Sequence, residues 1–247
     1  MTARTILGVP IQAMESPHAV DLLDQKFSTG TNTIVAFANA HTLNVASVNS
    51  QYRAVLQGAI VLNDGIGVDL ASRILYRAPF PANLNGTDFN PFYLRHTKHV
   101  YRIYFLGARP GIAEQAAQKI LALAPQHHCA GYRDGYFSRD QEADVVAKIA
   151  ESKADIILVA MGNPQQELWL ARHLPATGCR LGFGVGALFD FAAGEYKRAP
   201  QWVQGARMEW AYRLMQEPSR LWQRYMVESP IFLSKVFAST LAREGRR

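Results

Sequence analysis

The stretch Tyr101–Leu106, YRIYFL, is followed by Gly107, by the pair Pro110-Gly111 and then by a helical pattern from Ile112 to Leu123. A short run in which aromatic and aliphatic residues predominate is typical of a buried strand. Glycine and proline mark a turn before the helix begins. The stretch therefore predicts a strand–turn–helix unit, the building block of a parallel sheet.

The same order recurs along the chain. Strands are predicted over Thr33–Ala38, Ala59–Leu62, Asp155–Ala160 and Arg180–Val185. Helices are predicted over Asn39–Val48, Val68–Tyr76 and about Gln165 to His173. This alternation predicts an α/β fold with a Rossmann-like, mostly parallel sheet flanked by helices. Ligands of such sheets bind at the carboxyl ends of the strands, so the polar residues that follow the strands are the first candidates for a site.

Charge is unevenly distributed along the 247 residues, although the composition is that of an ordinary globular protein. Residues 197–247 hold ten Lys/Arg and four Asp/Glu, whereas the rest of the chain holds sixteen of each. Tryptophan and arginine become frequent after about Ala193, and three prolines predict a division into three helices: Pro200, Pro218 and Pro230. We therefore predict a catalytic domain over 1–195 and a basic helical appendage over 196–247. Such an appendage suits phosphate groups, of anionic lipid or of nucleic acid.

The two cysteines have no zinc-like spacing, and no basic and apolar leader or membrane-spanning run is visible. These features lead us to expect a cytoplasmic protein that is soluble or peripheral to a membrane. No D-x-D motif is present. If the chain acts on a sugar nucleotide, the leaving-group charge must therefore be met by arginine and backbone N–H groups in place of a metal, and no cofactor is expected.

Asp64 is the leading candidate for a catalytic base, because it follows a short strand in NDGIGV and a carboxylate there can take a proton from an attacking hydroxyl. A simple Asp-Gly turn is the alternative. Asn39 ends the TIVAFA strand, where it can cap the next helix, reach a substrate, or do both. Gln166, in GNPQQE, has an amide suited to sugar hydroxyls, and helix-start chemistry is its alternative.

Other polar and glycine-rich turns are weaker candidates. The turn Gly184-Val185-Gly186-Ala187 and the following Asp190 suit a diphosphate and a base or ribose, or a tight turn with a solvated acid. The turn FLGARPG, over 105–111, offers backbone amides to an anion, although tight packing explains its glycines equally well. Tyr136, in GYF, is a stacking platform or a core aromatic.

The basic appendage presents Arg213, Arg220 and Arg224 as phosphate ligands, or as a solvated face. In its last helix Phe232, Val236 and Leu241 form an apolar stripe. This stripe predicts an interfacial membrane helix, with packing onto the body or a subunit interface as alternatives.

Several segments together resemble the WecG/TagA/CpsF family of bacterial glycosyltransferases. They run in order from about residue 39 to 225: FANAHTLN, NDGIGV, NGTDF, FLGARPG, GYF, AMGNPQQE, FGVGALFDFAAG, RAPQW and EWAYRLMQEPSRLWQRY. The resemblance implies an inverting, metal-independent hexosyltransferase that moves a sugar from a UDP-sugar donor to an undecaprenyl-diphosphate-linked acceptor.

By motif, the resemblance assigns the base to Asp64 and sugar-pocket contacts to Asn39 and Gln166. Uracil contacts fall on Tyr136 and Asp190, with the Gly184–Ala187 turn at the diphosphate. The appendage is implied to fold over the pocket at an anionic membrane surface and to supply its three arginines. No nucleic acid is implied, and a homo-oligomer is left open.

Two departures from teichoic-acid members lie beside the expected sugar pocket. Asn83 and Phe37 stand where those members carry arginine and threonine, and the stretch ANLNGTDF, with Asn83 and Asn85, is closer to exopolysaccharide members. UDP-glucose is therefore the expected donor in exopolysaccharide synthesis, and UDP-ManNAc or UDP-ManNAcA is the alternative. A nucleic-acid-binding module and a non-catalytic scaffold are rivals from other classes.

Overall fold

A computed structural model describes residues 2–196, 200, 203, 209–216 and 218–244. It describes the side chains at all of these positions except 209, 210, 213, 220, 221, 224 and 241–244.

The described chain contains eight strands: β1 (Ala3–Ile6), β2 (Val9–Gln12), β3 (Thr33–Ala38), β4 (Ile60–Asn63), β5 (Arg102–Gly107), β6 (His128–Arg133), β7 (Ile156–Ala160) and β8 (Leu181–Gly184). Strands β1 and β2 pair as an antiparallel hairpin. The other six form one parallel sheet in the order β4-β3-β8-β7-β5-β6. The predicted α/β class and parallel sheet are confirmed, while the hairpin and β6 were not predicted.

The helices are α1 (Ser16–Ser28), α2 (Ala40–Val48), α3 (Ser50–Gly58), α4 (Ile66–Tyr76), α5 (Gly86–His96), α6 (Ile112–Ala122), α7 (Glu142–Glu151), α8 (Gln165–Thr177), α9 (Leu188–Ala193), α10 (Glu209–Gln216), α11 (Pro218–Gln223) and α12 (Ser229–Glu244). A 3₁₀ turn over Arg139–Gln141 precedes α7, and a π-helical turn over Arg224–Glu228 joins α11 to α12. Pro218 and Pro230 lie in the first turns of α11 and α12, as expected of a residue that lacks a backbone N–H. Among the described residues, no helix is both long and apolar enough to cross a bilayer.

Alternate residues of a strand point to opposite faces of the sheet. Both faces of this sheet carry apolar side chains, and helices cover both. In β3, Val35 and Phe37 belong to a cluster that includes residues of α1, α5, α6 and α9. Ala36 and Ala38 belong to the cluster on the other face, formed with α2, α3, α4 and the hairpin. Helices α7 and α8 cover the same face farther along, over β5 and β7.

A crevice opens where the connections from two neighbouring strands diverge. Strands β3 and β8 pair side by side, yet α2 and α9, which follow them, pack on opposite faces. A doubly wound sheet is open to ligands between such strands, at their carboxyl ends.

Helix α12 packs on the body, against α2 and α4. Phe232 and Val236 are both 0% exposed and share a hydrophobic cluster with Leu43 and Ala46 of α2. The described part of the apolar stripe, Phe232 and Val236, therefore packs onto the body, which was one of the alternatives to an interfacial membrane helix. The side chain of Leu241 lies outside the described residues, and the boundary between 195 and 196 stays a prediction.

Candidate active site

Two cavities lie side by side at the carboxyl edge of the sheet. The polar cavity, of about 660 Å³, is lined by residues that follow β3, β5, β7 and β8. The apolar cavity, of about 510 Å³, is lined by residues after β4, by α4 and by the C-terminal helices. Four residues line both cavities: Asn39, His41, Asp64 and Thr87. Asp64 is therefore one of four residues at the junction of the cavities.

Asp64 is held in place by β3 and by the residue that follows it. Its backbone N–H donates to the Ala38 carbonyl at 2.8 Å, which extends the strand pairing by one residue. Its Oδ2 accepts a hydrogen bond from Asn39 Nδ2 at 3.2 Å. Asn39 also caps α2, since its Oδ1 accepts from the Thr42 backbone N–H at 3.1 Å. Asn39 therefore caps the helix and also contacts Asp64 within the site, while its contact with a substrate stays a prediction.

Asn83 and Asn85 line the apolar cavity and organise its wall. Asn83 Oδ1 accepts from the Gly65 backbone N–H at 3.0 Å, which fixes the turn directly after Asp64. Asn85 caps α5, because its Oδ1 accepts from the Asp88 backbone N–H at 3.0 Å. An arginine at position 83 has no acceptor atom and cannot make the bond to Gly65.

Gln166 is buried beneath the polar cavity, and most of its bonding capacity is used inside the protein. Its Oε1 accepts from the backbone N–H groups of Gly162 at 3.2 Å and Gly186 at 3.1 Å. Its Nε2 donates to Glu167 at 2.7 Å. Gln166 therefore ties together the turns that follow β7 and β8, a role that sequence reasoning missed when it proposed a sugar contact.

Glu167 is 0% exposed and anchors Gln166 from below. Its carboxylate also accepts from Asn163 Nδ2 at 2.7 Å and from the Tyr52 hydroxyl at 3.2 Å. Burial raises the pKa of the Glu167 carboxyl to about 7, while hydrogen bonds from Gln166 and Asn163 act in the opposite direction.

The turn after β8 passes close to these two side chains. A Cβ at position 184 would lie 2.8 Å from Glu167 Oε1 and 2.9 Å from Gln166 Nε2, so this position requires glycine. Gly186 has φ +56°, in the left-handed region that glycine adopts readily. The whole turn, Gly184 to Ala187, lines the polar cavity together with Asp190 and Tyr136. Tyr136 is 70% exposed, so it is not a core aromatic.

Arg109, in the FLGARPG turn, was not selected as a site residue by the sequence analysis. It lines the polar cavity and forms an ion pair with Glu195, which follows α9. Among the described lining residues of this cavity, it is the one arginine or lysine. Its place after β5 is the signal that would have identified it.

The C-terminal helices cover the junction of the two cavities. Tyr225, Met226, Ser229 and Leu233 line the apolar cavity. Gln223 and Glu228 line the polar one. The backbones of Arg213, Arg220 and Arg224 belong to α10, α11 and the π-helical turn, but their side chains lie outside the described residues.

Every site residue from the sequence analysis whose side chain is described therefore lines one of the two cavities. Tyr136, Gln166, Asp190 and the Gly184–Ala187 turn line the polar one. Asn83 and Asn85 line the apolar one, and Asn39 and Asp64 line both. In the described part of the chain, no group of three His, Cys, Asp or Glu side chains is placed to hold a metal ion.

Known proteins resemble this chain over most of its length. The profile of the Glycosyl transferase WecG/TagA/CpsF family matches residues 4–246. A relative from Bacillus spizizenii (strain ATCC 23059 / NRRL B-14472 / W23) is 33% identical over 193 residues, which cover 77% of this chain and 73% of the relative. One from Bacillus subtilis (strain 168) is 30% identical over 230 residues, covering 92% and 88%. Both relatives are named N-acetylglucosaminyldiphosphoundecaprenol N-acetyl-beta-D-mannosaminyltransferase.

Proposed function

The chain belongs to the Glycosyl transferase WecG/TagA/CpsF family and is a glycosyltransferase of the hexosyltransferase type; on this premise we propose that it transfers N-acetylmannosamine from a UDP-linked donor to N-acetylglucosaminyl-diphosphoundecaprenol. The observation that carries the proposal is the position of Asp64, which lines both a polar and an apolar cavity. A base at such a junction meets the acceptor from one side and the donor from the other.

The order of the strands supports a layout for the donor in the polar cavity. Across the carboxyl edge, Asp64 follows β4, the Gly184–Ala187 turn follows β8, and Arg109 follows β5. Neighbouring strands lie about 4.8 Å apart, so these positions span roughly 19 Å. We place the donor sugar beside Asp64, the diphosphate at the glycine turn, and the uridine toward Arg109, Asp190 and Tyr136.

The transfer is written as a single inverting displacement. The Asp64 carboxylate removes the proton from the acceptor hydroxyl, and the resulting oxygen forms a bond to the anomeric carbon. The bond from that carbon to the diphosphate oxygen breaks on the opposite face, and UDP leaves with the electron pair. Asn39 keeps the carboxylate oriented through its 3.2 Å hydrogen bond, and the charge on UDP is met by arginine and backbone N–H groups without a metal.

The apolar cavity suits the lipid-linked acceptor. Its walls include Ile66 and Leu70, which are 49% and 41% exposed, and Met226, which is 54% exposed. Exposed apolar side chains continue over the C-terminal helices at Met215, Trp222, Ile231 and Phe237. With the net positive charge of residues 197–247, this surface supports peripheral binding to the inner, anionic face of a membrane.

The relatives' names favour N-acetylmannosamine over the glucose that Asn83 and Phe37 led us to expect. Phe37 lines the polar cavity, and a Cβ at Gly86 would lie 3.1 Å from its ring, so the phenyl group fills space that a threonine would leave open. UDP-glucose remains the second candidate donor because of Asn83 and Phe37, and UDP-ManNAcA is the third.

A donor panel tests the proposal. The purified full chain is incubated with N-acetylglucosaminyl-diphosphoundecaprenol and, separately, UDP-ManNAc, UDP-ManNAcA and UDP-glucose, and the lipid product is identified by mass spectrometry. We expect the mass of one N-acetylhexosamine to be added with UDP-ManNAc alone. Addition of a hexose from UDP-glucose would replace the first candidate by the second.

A control without acceptor separates transfer from donor hydrolysis. Absence of lipid product with every donor, in a preparation that binds UDP, would overturn the proposed function. Retention by an oligonucleotide and not by anionic vesicles would instead favour a nucleic-acid-binding protein.

A further inference from the structure

His41 is the second residue of α2 and, like Asp64, lines both cavities. Its imidazole Nδ1 lies 2.6 Å from Oε2 of Glu228, which closes the π-helical turn of the C-terminal segment. Both side chains are about one-third exposed, at 30% and 28%. The pair thus joins the reaction centre to a part of the chain 187 residues away in sequence.

The chemistry of the pair defines which ring nitrogen is left for a substrate. A carboxylate only accepts hydrogen bonds, so Nδ1 must carry the proton that it donates to Glu228. In the neutral imidazole Nε2 then carries the lone pair. Such carboxylate–imidazole pairs fix both the tautomer and the orientation of the ring.

A row of hydrogen bonds along α2 holds Glu228 in position. Asn44 Nδ2 donates to the Glu228 carbonyl at 2.7 Å. Lys235 Nζ donates to Asn44 Oδ1 at 3.2 Å and to Ser47 Oγ at 2.8 Å. Because Phe232, between Glu228 and Lys235, is fully buried in the body, the carboxylate reaches His41 only when the C-terminal segment is docked.

We propose that His41 is a further substrate-binding residue of the reaction centre, and that Glu228 is the positioning residue that orients it from the C-terminal segment. This inference rests on the proposed function. The imidazole Nε2 forms a hydrogen bond with a sugar hydroxyl at the junction of the cavities, on the acceptor or on the donor. The transferase is therefore complete only when the C-terminal segment lies against α2.

The test compares His41→Ala, Glu228→Ala and the double variant with the wild-type full chain. We expect turnover of H41A to fall at least ~10-fold, the cost of a lost orienting contact, with the Kd for UDP changed by less than about twofold. E228A should lose turnover in the same direction, and the double variant should be no slower than H41A, because the two residues act as one unit. A rise in KM for the lipid acceptor alone assigns the hydroxyl to the acceptor, and a rise for the UDP-sugar alone assigns it to the donor.

His173 provides a matched control, because its Nε2 pairs with Glu142 at 3.2 Å on α8 and α7, away from both cavities. H173A should keep wild-type turnover. Turnover of H41A within about twofold of wild type, or H41A and E228A losses that multiply, would overturn the inference.

If H41A does not fold, a comparison of two Glu228 variants tests the inference instead. E228Q keeps an oxygen that accepts from Nδ1, so it should turn over several times faster than E228A; equal rates would contradict the positioning role. An inactive wild type that binds UDP would overturn the proposed function instead, so the two failures are distinguishable.

Discussion

Asn39 Nδ2 donates to Asp64 Oδ2 at 3.2 Å, although the two residues are 25 positions apart and follow different strands. The bond forms because β3 and β4 are parallel neighbours in register, with Ala38 opposite Asn63. The asparagine that caps α2 thereby also orients the Asp64 carboxylate. One side chain thus serves both the helix cap and the proposed catalytic base.

Asp64→Asn tests the role of the carboxylate while keeping its shape. The amide cannot accept the hydroxyl proton, so we expect the transfer rate to fall by about 10²- to 10⁴-fold. UDP binding, measured by calorimetry, should be retained because the glycine turn is untouched. Asp21→Asn, on an exposed carboxylate of α1, is the control for loss of one negative charge. A D64N variant as fast as wild type would remove Asp64 as the base.

Gln166→Ala should weaken donor binding. It frees the Gly162 and Gly186 N–H groups from a shared acceptor and loosens both turns beside the polar cavity. We expect the Kd for UDP to rise by about 10-fold, because two partly buried N–H groups and the buried Glu167 carboxylate lose a hydrogen-bond partner. Gln165→Ala changes the exposed neighbour on the same helix and should leave the Kd unaltered. An equal Kd for UDP in the two variants would contradict the role of Gln166 in holding the two turns.

Glu167 makes stability depend on pH. Its folded-state pKa of about 7 lies above the ordinary 4.5, so the folded protein binds the proton more tightly than the unfolded chain does. The stabilisation is complete below about pH 4.5 and is lost as the pH rises through about 7. The wild type should therefore lose up to roughly 3 kcal/mol of unfolding free energy relative to Glu167→Gln over this window.

Urea unfolding at pH 5 and pH 7.5 measures this difference. Glu151→Gln, on an exposed carboxylate of α7, serves as the control. A wild-type and E167Q difference that is the same at both pH values would show that Glu167 does not bind its proton in this range.

Phe232→Ala tests the docking of α12. The side chain is fully buried beside α2, so its removal should cost about 3–5 kcal/mol of unfolding free energy. Phe237→Ala, five residues on, removes a ring that is 55% exposed and should cost about 0.5 kcal/mol or less. In vesicle pelleting the order should reverse, with F237A the weaker binder of anionic lipid. Removal of everything after Ala199 is a less informative test, because it also uncovers the core around Leu43.

The variants Asn83→Ala and Asn83→Asp test whether Asn83 acts through its acceptor oxygen or through its amide NH2 group. Asp retains an oxygen for the Gly65 N–H, so N83D should keep most of the activity. N83A leaves the turn after Asp64 without its anchor, and its transfer rate should fall by about fivefold to 10-fold. Activity assays on the two variants with the same donor check this, and an inactive N83D beside an active N83A would assign another role to the residue.

Local sequence was sufficient to predict the five strands whose carboxyl ends carry the site, but not α5, which Asn85 caps, or α9, which carries Asp190. The strands at TIVAFA and DIILVA occur where predicted, with one residue lost from the start of the second, and Asn39 and Asp64 follow strands as expected. The hairpin and β6 were missed because their residues alternate or are polar, so their apolar signal is weak. The family was evident from the order of the motifs, since many short matches in one order do not arise by chance.

The sequence by itself determined the alternation of strands and helices, the basic C-terminal segment and the residue types at each strand end, because these depend on neighbours along the chain. Only the tertiary structure decided that Gln166 binds two turns, that Arg109 lines the polar cavity and that Glu228 meets His41. Those relationships depend on the order β4-β3-β8-β7-β5-β6 and on the docking of α12. Both are set by burial of apolar surface between distant segments, which no local pattern records.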